Sequence, residues 1–87
     1  MFYNYVLQSL KNDNLYIGYT NDLQKRLKEH NNGFNPSTKP YRPWQIIYYE
    51  ACITETDAIK REQYLKTPQG KRLLKLRLKD YLRAKKG

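Results

Sequence analysis

Leu15-Tyr16-Ile17-Gly18-Tyr19-Thr20, followed at once by Asn21-Asp22-Leu23, joins two structural instructions. The first six residues are dominated by aromatic and β-branched side chains, which suit a pleated, half-buried strand. Thr20-Asn21-Asp22 then supplies side-chain acceptors that start a helix, with a first-turn acid. Strand side chains alternate, so Tyr16, Gly18 and Thr20 share one face and Leu15, Ile17 and Tyr19 the other. Apolar side chains fall on both faces, so both are expected to be partly covered. Gly18 leaves open space above the sheet beside Tyr16, where another group can approach.

Upstream, residues 2 to 8 read as a strand, and Lys11-Asn12-Asp13-Asn14 is a turn cluster, so the two strands form a β-hairpin. Downstream, Leu23 and Leu27 mark the buried stripe of a helix, with Arg26 and His30 in the adjacent row at the same i, i+4 spacing. Asn31-Asn32-Gly33 stops that helix. Residues 31 to 43 form a long loop carrying Gly33, Pro36, Pro40, Pro43, Lys39 and Arg42. Trp44 to Cys52 is the most apolar run and reads as a central strand. Thr54 with Asp57 opens a helix over 55 to 66, whose stripe is Ala58, Glu62 and Leu65, with Ile59 alongside. Thr67-Pro68 ends it and starts another, with Thr as cap and Pro in first position. Leu74, Leu78, Tyr81 and Leu82 form its apolar face. The order β-β-α-β-α-α predicts an α+β fold, a small three-stranded antiparallel sheet with packed helices, in a single domain over 1–87.

Composition narrows the function. The chain has 87 residues, with 17 Lys and Arg against 8 Asp and Glu, a net charge of +9 that favours a polyanionic partner, most often nucleic acid. Nine tyrosines argue against disorder. One cysteine, Cys52, and one histidine, His30, exclude a disulfide framework, a cysteine zinc site and any site needing several His ligands. No apolar run is long enough for a membrane span, and Met1 leads directly into Phe2-Tyr3-Asn4-Tyr5 without a signal-peptide pattern, so the expected setting is the cytoplasm.

Three sets of residues carry possible chemistry. Glu62 lies on an apolar stripe, where a carboxylate is costly unless paired or holding a metal; pairing with an Arg, or a place at the stripe edge in water, would also account for it. Arg26 and His30 offer a permanent cation and a proton-transfer group within one turn, although Lys25 and Lys28 beside them equally suit a solvated face. Tyr5 and Tyr16 lie on the two arms of the hairpin. A phenol is a poor base unless a cation favours its ionised form, and plain aromatic packing is the alternative. Taken together, Tyr, Arg, His and Glu are the types that phosphodiester hydrolysis requires: an activated water, a cation for the developing charge, and a metal held by a carboxylate. Glu62 alone is placed inward, which favours one metal over two.

These residues resemble the GIY-YIG nuclease superfamily. Tyr16-Ile17-Gly18 matches its YIG element, and Tyr5, 11 residues earlier, suits the tyrosine of its GIY element, with Tyr3-Asn4-Tyr5 in place of Gly-Ile-Tyr. Arg26 and His30 follow Tyr16 by 10 and 14 residues, as that family places them. Pro43-Trp44 with Tyr48-Tyr49-Glu50 is similar to its third strand, and Lys60-Arg61-Glu62 to its metal-binding helix. The chain is most similar to small stand-alone bacterial members, akin to the amino-terminal endonuclease domain of a bacterial excinuclease. The resemblance implies that Tyr16 activates or orients the attacking water, with Tyr5 in support. It implies that Arg26 stabilises the pentacovalent phosphate, that His30 contacts phosphate or relays a proton, and that Glu62 holds one divalent cation, magnesium or manganese.

Lys11, Lys39 and Arg42 are candidates for contacting nucleic-acid phosphates, which give affinity but not sequence readout. Either selectivity comes from substrate structure, as in repair, or the chain cuts with little specificity, or a targeting partner protein supplies it. A monomer or a weak dimer paired through the exposed hairpin edge is expected. The competing readings are a non-catalytic nucleic-acid-binding module of the same fold, and a protein-interaction domain whose binding would be insensitive to salt.

Overall fold

The computed structural model describes residues 1–86; Gly87, the last residue of the expected domain, lies outside the described residues. The elements are β1 (Phe2–Ser9), β2 (Leu15–Thr20), α1 (Leu23–Asn31), a 3-10 turn (Lys39–Tyr41), β3 (Trp44–Cys52), α2 (Glu55–Leu65), α3 (Pro68–Arg77) and α4 (Lys79–Lys86). The three strands form one antiparallel sheet in the order β2-β1-β3. The α+β class and the small packed sheet are as the sequence predicts.

The helix starts follow their caps. Asp22 is itself the cap of α1, its carboxylate accepting the Lys25 N–H at 3.1 Å. Thr54 accepts the Asp57 N–H and Thr67 the Gly70 N–H, and Pro68 sits where its missing N–H costs nothing.

Two expectations change. β3, expected at the centre of the sheet, is an edge strand, and β1 is central. Hydropathy reports how far a strand's faces are covered, not how many neighbours pair with it. β1 is buried from Asn4 to Ser9 despite polar side chains, because those side chains are bonded. Asn4 Nδ2 donates to the Ala58 carbonyl, Ser9 Oγ to the Tyr41 carbonyl, and Gln8 Oε1 accepts from the Tyr81 hydroxyl. The last helix is also broken in two at Leu78, whose φ of −103° and ψ of 18° leave the helical region. α4 beyond the break carries Tyr81, which bonds Gln8 of β1 and Gln45 of β3.

Each face of the sheet has its own core. On one, Val6 and Ile17 meet Leu65 of α2 and Leu74 of α3. On the other, Tyr5, Leu7 and Trp44 pack with Tyr16, Ile46 and the α1 stripe Leu23 and Leu27. Helices on both faces explain the two-sided apolar pattern of β2. They also leave the free edge of β2 flanked by α1 and α2, and a polar cleft opens there.

Candidate active site

The cleft encloses about 290 Å³ and is lined from three directions. β1 and β2 supply Phe2, Tyr5, Tyr16, Gly18, Tyr19 and Thr20; the turn into α1 and α1 itself supply Asn21 and Arg26; α2 supplies Glu55 and Glu62. Four of the five residues expected to act together, Tyr5, Tyr16, Arg26 and Glu62, therefore share one cavity. His30, the fifth, is 1% exposed and stands behind Tyr5 instead of lining the cleft.

Gly18 makes this arrangement possible. It is the cross-strand partner of Tyr5, and a Cβ there would lie 2.5 Å from the Tyr5 hydroxyl oxygen. The space left by the missing side chain is filled by the Tyr5 phenol, which crosses over β2 into the cleft wall.

The two tyrosines are held differently. Tyr5 is 2% exposed, and its hydroxyl lies 3.0 Å from His30 Nε2. His30 Nδ1 lies 2.8 Å from Thr38 Oγ1, whose own hydroxyl donates to the Asn35 carbonyl at 3.3 Å. That direction places the imidazole proton on Nδ1 and leaves Nε2 to accept from Tyr5. Burial lowers the His30 pKa, and the Arg26 guanidinium lowers it further, so the neutral acceptor form is favoured. Burial also pushes the Tyr5 phenol well above its ordinary value; neighbouring Tyr16 adds to this and Arg26 opposes it. Tyr5 is thus a protonated donor at neutral pH.

Tyr16 is only half-buried. Its ring packs edge-on against His30 at 4.9 Å between centroids. Its hydroxyl oxygen accepts from Asn35 Nδ2 at 3.3 Å. Asn35 Oδ1 accepts the Ser37 N–H at 3.0 Å and the Ser37 hydroxyl at 2.7 Å, so the amide can turn only its NH₂ toward Tyr16. With that lone pair occupied, the Tyr16 hydroxyl is free to engage a group in the cleft.

Arg26 is partly exposed and lies 3.4 Å from Glu29, one turn along α1. The row it shares with His30 is therefore divided, its first member in the cleft and its second in the core. The Glu62 side chain is 19% exposed, with Oε2 3.5 Å from Lys66 Nζ, so its partner is a lysine on the same helix and not an arginine. Among the described residues, no three His, Cys, Asp or Glu side chains come together as a cage for a metal. The donor set nevertheless fits a hard cation such as magnesium, which commonly keeps several waters and takes one or two carboxylates plus substrate phosphate.

Sequence reasoning missed Glu55, which lines the cleft with Glu62. Its signal was available: seven residues is two helical turns, so both acids face one way. It also missed Asn35 and Thr38, because a loop gives no periodicity from which to read a side chain's direction. Lys11, Lys39 and Arg42 line a separate concavity that shares no lining residue with the cleft. No helix among the described residues is long and apolar enough to cross a membrane.

The chain matches the family model of the GIY-YIG catalytic domain over residues 1–77. It is 41% identical over 75 residues to a UPF0213 protein of Staphylococcus saprophyticus, covering 85% of this chain and 90% of that one. It is 40% identical over 67 residues to a UPF0213 protein of Clostridium perfringens, covering 76% and 71%. The solution NMR structure of a UPF0213 protein from Bacillus halodurans is 28% identical, covers 85% of this chain and 82% of that one, and superimposes with a TM-score of 0.50.

Proposed function

The chain belongs to the GIY-YIG family, whose fold is that of an endonuclease-type domain, and from that premise we propose that it is a metal-dependent endonuclease hydrolysing DNA phosphodiester bonds. The observation that carries this reading is the convergence of Tyr16, Arg26 and Glu62, from β2, α1 and α2, on one polar cleft.

In this reading Glu62 holds a single magnesium or manganese ion, with Glu55 beside it. When bound, the cation polarises the phosphate and neutralises charge on the leaving oxygen. Tyr16 orients the attacking water through the hydroxyl that Asn35 leaves free. Arg26 stabilises the charge that develops on the phosphate, inside a cleft where that attraction is stronger than in bulk water. Tyr5, its one hydroxyl proton given to His30 Nε2, presents only oxygen lone pairs to the cleft and excludes water behind it, so His30 acts through Tyr5. Backbone contacts dominate such a site, so selectivity rests on substrate shape, as in a repair-type nuclease of the cytoplasm.

The test is cleavage of supercoiled plasmid and a panel of branched DNAs with magnesium, manganese or chelator. Glu62→Gln and Arg26→Ala are run beside the wild type. The expected result is metal-dependent cutting that is lost in Glu62→Gln. For Arg26→Ala, a loss of ~10²–10³-fold in turnover with DNA affinity much less changed is expected. Cutting by folded Glu62→Gln at the wild-type rate would sink the assignment. Salt-sensitive binding without any cutting would leave a nucleic-acid-binding module of the same fold.

A further inference from the structure

We propose that Lys11, Lys39 and Arg42 form a second anion site, which grips a backbone phosphate of the bound nucleic acid away from the bond being cut. This rests on the reading of the chain as a protein that acts on nucleic acid.

The three residues come from the hairpin turn, the 3-10 turn and the approach to β3. They line one basin of about 530 Å³, walled by Pro40, Pro43 and Asn31. The cations are seated and not merely nearby. Lys11 Nζ donates to the Pro40 carbonyl at 3.1 Å, and Arg42 Nε donates to the Lys39 carbonyl at 2.9 Å. These bonds tie down Arg42 Nε and leave its two terminal nitrogens as a fork for phosphate oxygens. Gly33 provides room for that guanidinium. It has a φ of +80°, and a Cβ there would lie 3.0 Å from Arg42 Nη1.

The loop beneath is braced on both sides. Ser9 Oγ donates to the Tyr41 carbonyl at 2.6 Å, and Trp44 Nε1 donates to the Thr38 carbonyl at 2.9 Å. None of the ion pairs found among the described residues involves Lys11, Lys39 or Arg42. Three like charges therefore converge with no acid to balance them, and a phosphate removes that repulsion.

The position suits the same strand that enters the cleft. α1 lines both cavities, with Arg26 in the cleft and Asn31 in the basin. Five residues separate them, about 7.5 Å of helix axis and about 140° of turn, so the two cavities open on different sides of α1. Tyr5 in the cleft and Ser9, beside Lys11, stand four residues and about 13 Å apart along β1, so a nucleic acid with its scissile phosphate at Arg26 meets the basin about four strand rises away.

Binding of a labelled DNA duplex is measured in chelator across a salt series, where no cutting occurs. Wild type is compared with the triple variant Lys11→Gln, Lys39→Gln, Arg42→Gln. An equal-charge control carries Lys71→Gln, Lys75→Gln and Lys79→Gln on the exposed side of α3 and α4. Lys39→Gln alone, at an exposed site, provides a conservatively folded member of the series. Each phosphate contact contributes about 0.9 to the slope of log affinity against log salt. The basin triple should lower that slope by about 2.7 if each cation contacts one phosphate, the single by about 0.9, and the control triple by less than 1. Affinity at moderate salt should fall at least tenfold more for the basin triple than for the control. Equal slopes and affinities for the two triples would overturn the proposal and leave the basin as solvated surface charge. No salt-sensitive binding by wild type would overturn it together with the nucleic-acid reading. Binding with the expected slope change, but no cutting when metal is restored, supports the basin and removes only the hydrolase assignment.

Discussion

The two faces of the sheet are built from the same strands but to different standards. Val6 and Ile17 turn toward α2 and α3 and meet Leu65 and Leu74, so the centre of that face is aliphatic, with Asn4 and Gln8 of β1 bonded to the Ala58 carbonyl and to Tyr81 on either side of it. Tyr5 and Leu7, the residues flanking Val6, turn the other way and meet Trp44, Tyr16 and α1. There the packing is threaded by hydrogen bonds, from Tyr5 to His30 to Thr38 and on to the Asn35 carbonyl. An aliphatic face needs only volume and shape, and it tolerates exchange among similar residues. A face containing buried hydroxyls and an imidazole needs every donor and acceptor matched, and gains fixed side-chain directions in return. Among the described residues no buried side-chain nitrogen or oxygen lacks a partner, so that matching is complete. One face is a scaffold; the other aims the tyrosines.

The sharpest break between them is in stability. Leu74 is 3% exposed and belongs to the aliphatic face. Leu74→Ala should cost about 2–5 kcal/mol by urea unfolding. In a domain of this size that can be most of the total stability.

A smaller effect comes from the bonded face. His30→Leu strands the Tyr5 hydroxyl and removes the donor to Thr38 Oγ1, whose own proton still goes to the Asn35 carbonyl, and should cost about 1–3 kcal/mol. Adding Tyr5→Phe should recover part of that loss, because the hydroxyl left without an acceptor is then gone. The same histidine gives a pH signature. Its folded-state pKa lies below the ordinary 6.5, chiefly through burial. Between the folded and unfolded values the unfolded chain binds the extra proton. The stability is therefore fully present above about 6.5 and is lost as pH falls through the folded value. Wild-type urea midpoints should decline on acidification below neutrality, and His30→Leu should flatten that part of the curve. A parallel decline in both proteins would place the titration elsewhere. Glu50 cannot imitate it. Burial raises the Glu50 pKa, but bonds from Arg61 and Tyr48 outweigh this and hold it below 4.5, a separate acid window.

The division between faces also explains what was legible in the sequence. Caps are local, so Asp22, Thr54 and Thr67-Pro68 announced the three helices that they start. The spacing of Tyr16, Arg26 and Glu62 was visible because each lies on a regular element whose period fixes its direction. The centrality of β1 was hidden, since Asn4, Gln8 and Ser9 look like surface residues until their partners on α2, α4 and the loop are known. Asn35 and Thr38 were hidden for a related reason. Their directions come from the loop's long-range closure on Tyr16, His30 and Trp44, which no pattern within the loop encodes.

Asn35 gives the finest test of the idea that this face aims side chains. Its Oδ1 organises the turn through Ser37, and its Nδ2 holds Tyr16. Asn35→Asp keeps the first function, because a carboxylate accepts the same two donors, and abolishes the second. If Tyr16 orients water with the help of that donor, Asn35→Asp should retain the wild-type unfolding midpoint to within a few tenths of a kcal/mol. Turnover should nevertheless fall about tenfold, equivalent to about 1.4 kcal/mol of transition-state stabilisation. The added negative charge will also weaken DNA binding, so turnover must be measured at saturating substrate and Kd separately. Asn35→Ser, which retains a turn-forming acceptor without adding charge or reaching Tyr16, should show the same loss of turnover with Kd unchanged. A loss confined to Kd in the Asp variant, with full turnover in both, would mean that Asn35 shapes the loop and leaves Tyr16 to find its own orientation.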